Sequence, residues 1–352
     1  MKNRREKVGI VIQSQRPSDH LAAAFERAVE VPASARAPLQ RRVTLVTGKG
    51  GVGRSTWASV LARTFADGGA RTLLAEITEP GQAYSPLARL FGRDEFQADP
   101  AALDRNALWG VALSPHRGQQ LFLSKVIHVE ALAKAALASE AISKLLDVAP
   151  SFREMGVYYH LLSLLKEKLP SGEPRFEKLV IDLPATGHTL ALTGLPEILG
   201  RLISRGPIRE ALEQGQEILN SPEHTAAWVV TLPEPLPVSE TFELIEGLKR
   251  TRVPVGGVIV NRLQADPFTE EERTALKRWM EAGRGVPGFR IISELEENRL
   301  ALSRLKNHLD LPLVFAPDVS DLFRDSVDIA RGLATAMREV ARESSSRRQG
   351  GI

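Results

Sequence analysis

Gly48-Lys49-Gly50-Gly51-Val52-Gly53-Arg54-Ser55-Thr56 follows directly on the apolar run Val43-Thr44-Leu45-Val46-Thr47. The spacing is that of a phosphate-binding loop, G-x-x-x-x-G-K-[ST], with Arg54 at the position usually held by lysine. Glycines let the backbone turn tightly and aim successive N–H groups at one small volume. The helix that follows adds its positive N-terminal end. A triphosphate suits such a cradle, and Ser55 offers the hydroxyl that ligates Mg²⁺. A ligand-free glycine turn is the plain alternative. The context speaks against it: a buried-looking strand precedes the loop, and Ser55–Ala62 carries a helical pattern. The spacing therefore predicts a nucleotide site built from Gly48, Lys49, Gly50, Gly51, Val52, Gly53, Arg54, Ser55 and Thr56.

Outward from the loop, apolar β-rich runs recur at Val43–Thr47, Thr72–Ala75, Leu108–Leu113, Leu179–Ile181, Ala227–Leu232, Val255–Val260 and Leu311–Phe315. Helical patterns separate many of them. This alternation predicts an α/β fold, a mostly parallel sheet with helices on both faces. Ligands of such sheets bind at the carboxyl ends of the strands. The loop, Asp182 and Asn261 all fall at or beside predicted strand ends. Two stretches, about 119–169 and 195–219, exceed what simple crossovers need and read as an inserted helical subdomain. Residues 1–40 read as an N-terminal extension, partly disordered, with a short helix at His20–Val29 and a linker at Pro32–Pro38. The ATPase-like domain then occupies 41–342, and the polar 343–352 reads as a disordered tail.

Composition sets bounds. The 352 residues can bury a substantial core, and 43% hydrophobic with 25% charged is ordinary for a globular protein. The formal charge is only +3, from 46 basic and 43 acidic residues, so no nucleic-acid partner is called for. There is no cysteine, which removes disulfides and thiolate metal sites and fits a cytoplasmic protein. No apolar run reaches the ~18 residues of a membrane span.

Two further features narrow the reading. Lys49 is not required by an ordinary phosphate loop. Downstream, Asp182-Leu183-Pro184-Ala185-Thr186-Gly187-His188-Thr189-Leu190 follows the apolar run Leu179–Ile181. With Val229–Glu234, Ser239-Glu240-Thr241 and Ile259-Val260-Asn261-Arg262-Leu263, in that order, the chain resembles the family of the arsenite-pump ATPase (ArsA) and the guided-entry ATPase that targets tail-anchored membrane proteins. The likeness spans about residues 42–317. It implies an ATP- and Mg²⁺-dependent dimeric switch, either a homodimer or a heterodimer with a paralogous ATPase, coupled to a membrane-protein client or membrane partner. In that reading Lys49 reaches phosphates across the subunit interface, Ser55 ligates Mg²⁺, Asp182 organises it through water, His188 belongs to a switch, and Asn261 contacts adenine. A partition-type ATPase shares the loop but is disfavoured by the helical insertions and by Thr186-Gly187-His188-Thr189.

The sequence also departs from that pattern. Arginine is a planar fork where lysine is a point charge, so Arg54 is expected to keep binding and slow hydrolysis. The family's Asp-Pro-Ala-His after the second strand is replaced by Glu76-Ile77-Thr78-Glu79-Pro80-Gly81-Gln82. Glu79 aligns best as the carboxylate that positions the attacking water, and Glu76 is its rival. The Cys-x-x-Cys that clamps zinc between subunits is missing; the stretch near Thr269–Leu276 offers Glu270, Glu271, Glu272 and Arg273 instead. No zinc is therefore expected, and an arsenite-pump role is disfavoured. A weakly or non-hydrolysing partner of a paralogous ATPase is the alternative function.

Overall fold

The apolar runs become the strands of one eight-stranded sheet in the computed structural model, in the order β3-β4-β2-β5-β1-β6-β7-β8. The structure describes residues 29–77, 84–104, 107–127, 150–184, 207–264, 268–281, 289–319 and 325–349. The strands are β1 (Val43–Gly48), β2 (Thr72–Ile77), β3 (Ala101–Asp104), β4 (Leu108–Leu113), β5 (Lys178–Asp182), β6 (Thr225–Thr231), β7 (Val255–Leu263) and β8 (Leu313–Pro317). All neighbours run parallel except the β3–β4 hairpin. β1 lies between β5 and β6, so the loop that leaves it opens at the middle of the sheet.

Each central strand is buried on both faces, which is why its sequence reads as a continuous apolar run rather than an alternation. Val43, Leu45, Leu179 and Ile181 face one core; Val46 and Val180 face the other. The helices divide accordingly. Helices α1 (Ala33–Leu39), α2 (Arg54–Asp67), α3 (Pro86–Arg89) and α10 (Ser326–Gln349) cover one face, with Trp57, Leu61, Leu87 and Leu333 fully or nearly fully buried there. Helices α5 (Pro150–Lys166), α7 (Pro235–Arg250) and α9 (Phe289–His308) cover the other through Tyr158, Leu161, Ile245, Leu248 and Leu305. Helices α4 (Pro115–Ile127), α6 (Pro207–Asn220) and α8 (Glu270–Glu281) complete the described elements.

Several sequence-based expectations shift. The stretch read as a linker, Pro32–Pro38, is mostly helix α1, because Ala35 and Leu39 find a buried seat on the sheet. Just before it, Glu30 pairs antiparallel with Phe315 of the edge strand β8. Strand β3 was not foreseen: four residues with every other one exposed give too short a signal. Helix α10 continues to Gln349, into the stretch for which polar composition predicts disorder. Helix α5 lies within, and α4 and α6 overlap, the two stretches read as helical insertions, whereas residues 128–149 and 185–206, like all of the expected helix His20–Val29 but its last residue, lie outside the described residues.

His160 ties the helical layer to the sheet. Its ring is 2% exposed, and its Nδ1 accepts the Ser114 N–H at 3.1 Å, just past the end of β4. Burial, helped by Arg117, pushes the imidazole down to about 4, while Asp99 and the Ala98 backbone pull the other way. The unfolded chain takes up the proton at the ordinary 6.5; the folded chain does not until about pH 4. The contribution of His160 to stability is therefore full above pH 6.5 and declines as pH falls through that window. Urea unfolding of wild type beside His160→Gln should isolate this group from the opposing titration of other buried groups: between pH 6.5 and 4 wild type should lose about 3 kcal/mol relative to the variant.

Candidate active site

The turn after β1 depends on three left-handed or extended glycines: Gly48 at φ 154°, Gly51 at 84° and Gly53 at 92°. Gly53 is the tightest. A Cβ there would sit 2.3 Å from Asn261 Nδ2, so any side chain displaces the asparagine. Asn261 in turn donates that Nδ2–H to the Val52 carbonyl at 2.9 Å. The phosphate loop is thus held from below by β7, near its carboxyl end, where Arg262 takes a positive φ of 55° and the ladder to β8 shifts register. Asn261 was expected just past a strand; it lies within one, and its amide holds the loop.

Helix α2 starts at Arg54 with Gly53 as its N-cap, so Ser55 occupies its first turn. The first-turn side chains meet the end of β5. Ser55 Oγ donates to Asp182 Oδ2 at 2.6 Å, and Arg54 Nε donates to Asp182 Oδ1 at 2.7 Å. Arg54 Nη1 also donates to the Gly48 carbonyl at 3.3 Å. Asp182 is 7% exposed, and burial raises its carboxyl while Arg54 and Ser55 hold it down. The arginine that replaces the loop lysine is therefore spent, in this state, on the carboxylate expected to organise the metal.

Glu76 joins the same place. In the sheet register Glu76 of β2 stands directly beside Asp182 of β5. Arg54, Ser55, Glu76, Ile77, Pro86, Leu87, Asp182 and Pro184 line a pocket of about 150 Å³. Glu76 is 7% exposed, and the Ser85 hydroxyl donates to its Oε2. Ser85 also caps α3 by accepting the Ala88 N–H at 2.7 Å. Burial, with Asp182 adding to it, pushes Glu76 up to about 7, against the Ser85 hydroxyl and the Phe96 backbone. Of the two carboxylates weighed for the attacking water, Glu76 is thus in the pocket, whereas Glu79 lies outside the described residues, as does His188.

Lys49 points elsewhere. Its Nζ forms a 3.0 Å ion pair with Glu240 of α7, and both side chains are partly exposed. The acidic stretch considered as the counterpart of the missing zinc ligands starts α8 instead. Thr269 and Glu272 form a reciprocal capping box there, readable from the T-x-x-E spacing. Among the described residues no group of three or more His, Cys, Asp or Glu side chains is placed to hold a metal ion. A cation here needs oxygens from its ligand as well, which is how Mg²⁺ is ordinarily held beside phosphates.

Residues 41–207 and 205–286 match the anion-transporting ATPase family, well over half of the chain. The chain belongs to the ArsA family of anion-transporting ATPases. Within it, the chain is 31% identical over 229 residues to the ATPase BagA of Mycobacterium tuberculosis, a match covering 63% of this chain and 65% of that protein. It is 25% identical over 292 residues to the ATPase GET3B of Arabidopsis thaliana, covering 68% of each. It is 28% identical over 267 residues to the arsenical pump-driving ATPase of Escherichia coli, covering 73% of this chain and 40% of that one. The matched residues include the loop, β2 and β5, which line the pocket, and β7, which holds the loop through Asn261. No helix among the described residues is long and apolar enough to cross a membrane.

Arg54 and Asp182 are one electrostatic unit, so removing either partner alone is costly. Arg54→Met should lower the unfolding free energy of nucleotide-free protein by about 2–3 kcal/mol, somewhat less than for a fully buried pair because the arginine is 21% exposed. Adding Asp182→Asn should recover at least half of that loss in urea titrations. Additive losses would show that the two side chains are not coupled.

Proposed function

We propose that this chain is an ATP-dependent switch: it binds ATP with Mg²⁺ in the loop Gly48–Thr56, hydrolyses it slowly, and dimerises when it does so. The single observation that carries this reading is the meeting of a glycine-shaped phosphate loop, Ser55 and Asp182 at the carboxyl ends of adjacent parallel strands. The oxygen donors fit a hard cation: a hydroxyl and a carboxylate already touching, in a pocket open enough for solvent. Mg²⁺, when bound, neutralises charge on the phosphate oxygens.

The chain's own groups divide the work. Backbone N–H groups of the loop and the N-terminus of α2 bind phosphate. Ser55 is the direct metal ligand, and Asp182 holds the metal's water. Asn261 keeps the loop in shape, and its Oδ1 is left for the adenine amino group. Lys49 supplies charge to the partner's phosphates. Its bond to Glu240 is a partly exposed ion pair, worth about 1 kcal/mol or less, so it is released at little cost. The family likeness supports a cytoplasmic protein that acts on a membrane-protein client or a membrane partner, as homodimer or heterodimer. Binding ATP favours the closed dimer only so far as that form binds ATP more tightly.

Sedimentation of the purified chain tests the switch. Wild type should shift toward dimer on addition of ATP and Mg²⁺, and Lys49→Ala should lose that shift while unfolding at the same urea concentration. Equal monomer–dimer balance in both proteins, with and without ATP, would overturn the interface role of Lys49. Turnover tests Arg54. Wild type should hydrolyse ATP well below 10 s⁻¹, roughly the median for enzymes, because Arg54 must leave Asp182 before it can serve a phosphate. Arg54→Lys should raise the rate several-fold. If it does not, the weakly or non-hydrolysing partner of a paralogous ATPase becomes the better description, and mixing with such a relative should restore turnover.

A further inference from the structure

Among the described residues lining the pocket, Glu76 is the carboxylate that the reading above leaves without a task. It is not a surface residue that strayed inward: it sits in β2, 7% exposed, in register with Asp182 on the neighbouring strand. Side chains of register partners in a parallel sheet leave on the same face, with the strands about 4.8 Å apart. The two carboxylates therefore stand side by side over the same floor.

A purely structural glutamate buried in a strand would be expected to have both oxygens satisfied. Here Oε1 is not: Oε2 accepts the Ser85 hydroxyl and the Phe96 backbone also acts on the carboxylate, but Oε1 is buried with no hydrogen bond of its own among the described residues. The arrangement is directional. Ser85 is fixed by its own bond to the Ala88 N–H, so Glu76 is steadied on one oxygen while the other remains available. Among the described residues Arg54 is the only cationic side chain lining the pocket, and its Nε is already given to Asp182. Among the described residues two carboxylates thus stand against one guanidinium when ionised.

We propose that Glu76 Oε1 accepts a hydrogen bond from a water in the coordination shell of the nucleotide's Mg²⁺, making Glu76 a second anchoring carboxylate beside Asp182. The proposal rests on the nucleotide reading above and assigns this residue a part in it. The chemistry favours contact through water: Mg²⁺ dehydrates reluctantly and keeps several of its waters, which hydrogen-bond outward, and Glu76 shares one pocket with Ser55 and Asp182. Glu76 is then a positioning residue: it fixes the metal's hydration shell and hence the orientation of the metal against the phosphates.

Metal affinity reads this directly, with no turnover needed. Mn²⁺ replaces Mg²⁺ in an electron paramagnetic resonance titration of the full chain saturated with a non-hydrolysable ATP analogue. Glu76→Gln keeps the shape and the acceptor for Ser85 but removes the charge. It should weaken Mn²⁺ binding about 10–100-fold, the range for outer-shell partners of a metal. Its affinity for the analogue in EDTA should stay within about two-fold of wild type, since no loop contact changes. Ser85→Ala leaves Glu76 in place but unsteadied, and should weaken Mn²⁺ in the same direction by less. That variant carries the test if Glu76→Gln fails to fold. Equal Mn²⁺ affinity in wild type and Glu76→Gln, or in wild type and Ser85→Ala where only that variant folds, overturns the proposal and leaves the nucleotide reading standing. A wild-type chain that binds no nucleotide overturns both.

Discussion

Asp182 is the pin that joins the phosphate loop to the sheet. A carboxylate buried to this degree is expensive unless paired and hydrogen-bonded, and both of its oxygens are claimed by the first turn of α2. The bond from Arg54 and the bond from Ser55 therefore set how α2 leaves the loop. The same helix buries Trp57, Ala58, Val60, Leu61 and Ala62 on the sheet. The apolar packing gives α2 its strength, and the carboxylate fixes its rotation about its own axis. Asn261 adds the third point by holding Val52. A loop made flexible by four glycines is thus shaped by three strands: β1 beneath it, β5 through Asp182 and β7 through Asn261.

That arrangement has a chemical cost that bears on function. Arg54 cannot serve Asp182 and a phosphate at once with the same edge of its guanidinium. A lysine at this position would have no fork to share and would be freer to follow the ligand. Under the proposed function, the Arg54–Asp182 bond is one that nucleotide binding would have to rearrange. The Lys49–Glu240 pair behaves differently, because both of its partners reach water. One basic residue of the loop is tightly committed and the other loosely.

Much of this was legible in the chain. The glycine spacing announces the loop because only glycine tolerates those backbone angles, and two-sided burial announces the central strands. Their places at the ends of apolar runs drew Asp182 and Asn261 to the same end of the sheet before any geometry was known. Register was not legible. Strands that are apolar throughout carry no alternation to tell one face from the other. For that reason the neighbourhood of Glu76 and Asp182, separated by over a hundred residues, emerges only from the order β2-β5-β1. The partner of Arg54 was hidden for the same reason: sequence pointed it at phosphate, and the sheet put a carboxylate first. Helix α1 was hidden by composition. Its alanines and prolines read as a linker, and what makes them helix is the seat for Ala35 and Leu39. The capping box of Thr269 and Glu272 was in plain view and marks the start of α8.

The bridge between Glu30 and Phe315 has a consequence for how the protein survives on its own. An open sheet ends in a row of backbone donors and acceptors that can recruit a strand from another chain. At one edge the short antiparallel β3 closes the row. At the other, β8 spends the N–H and carbonyl of Phe315 on Glu30, whose chain then turns into α1 and buries Val29, Ala35 and Leu39. The residues that precede the phosphate loop thus serve as a guard rail against edge-to-edge aggregation. A fragment trimmed to begin at Arg41 keeps every residue of the pocket, yet it uncovers that edge together with the apolar seat of α1, and solubility is lost before chemistry is.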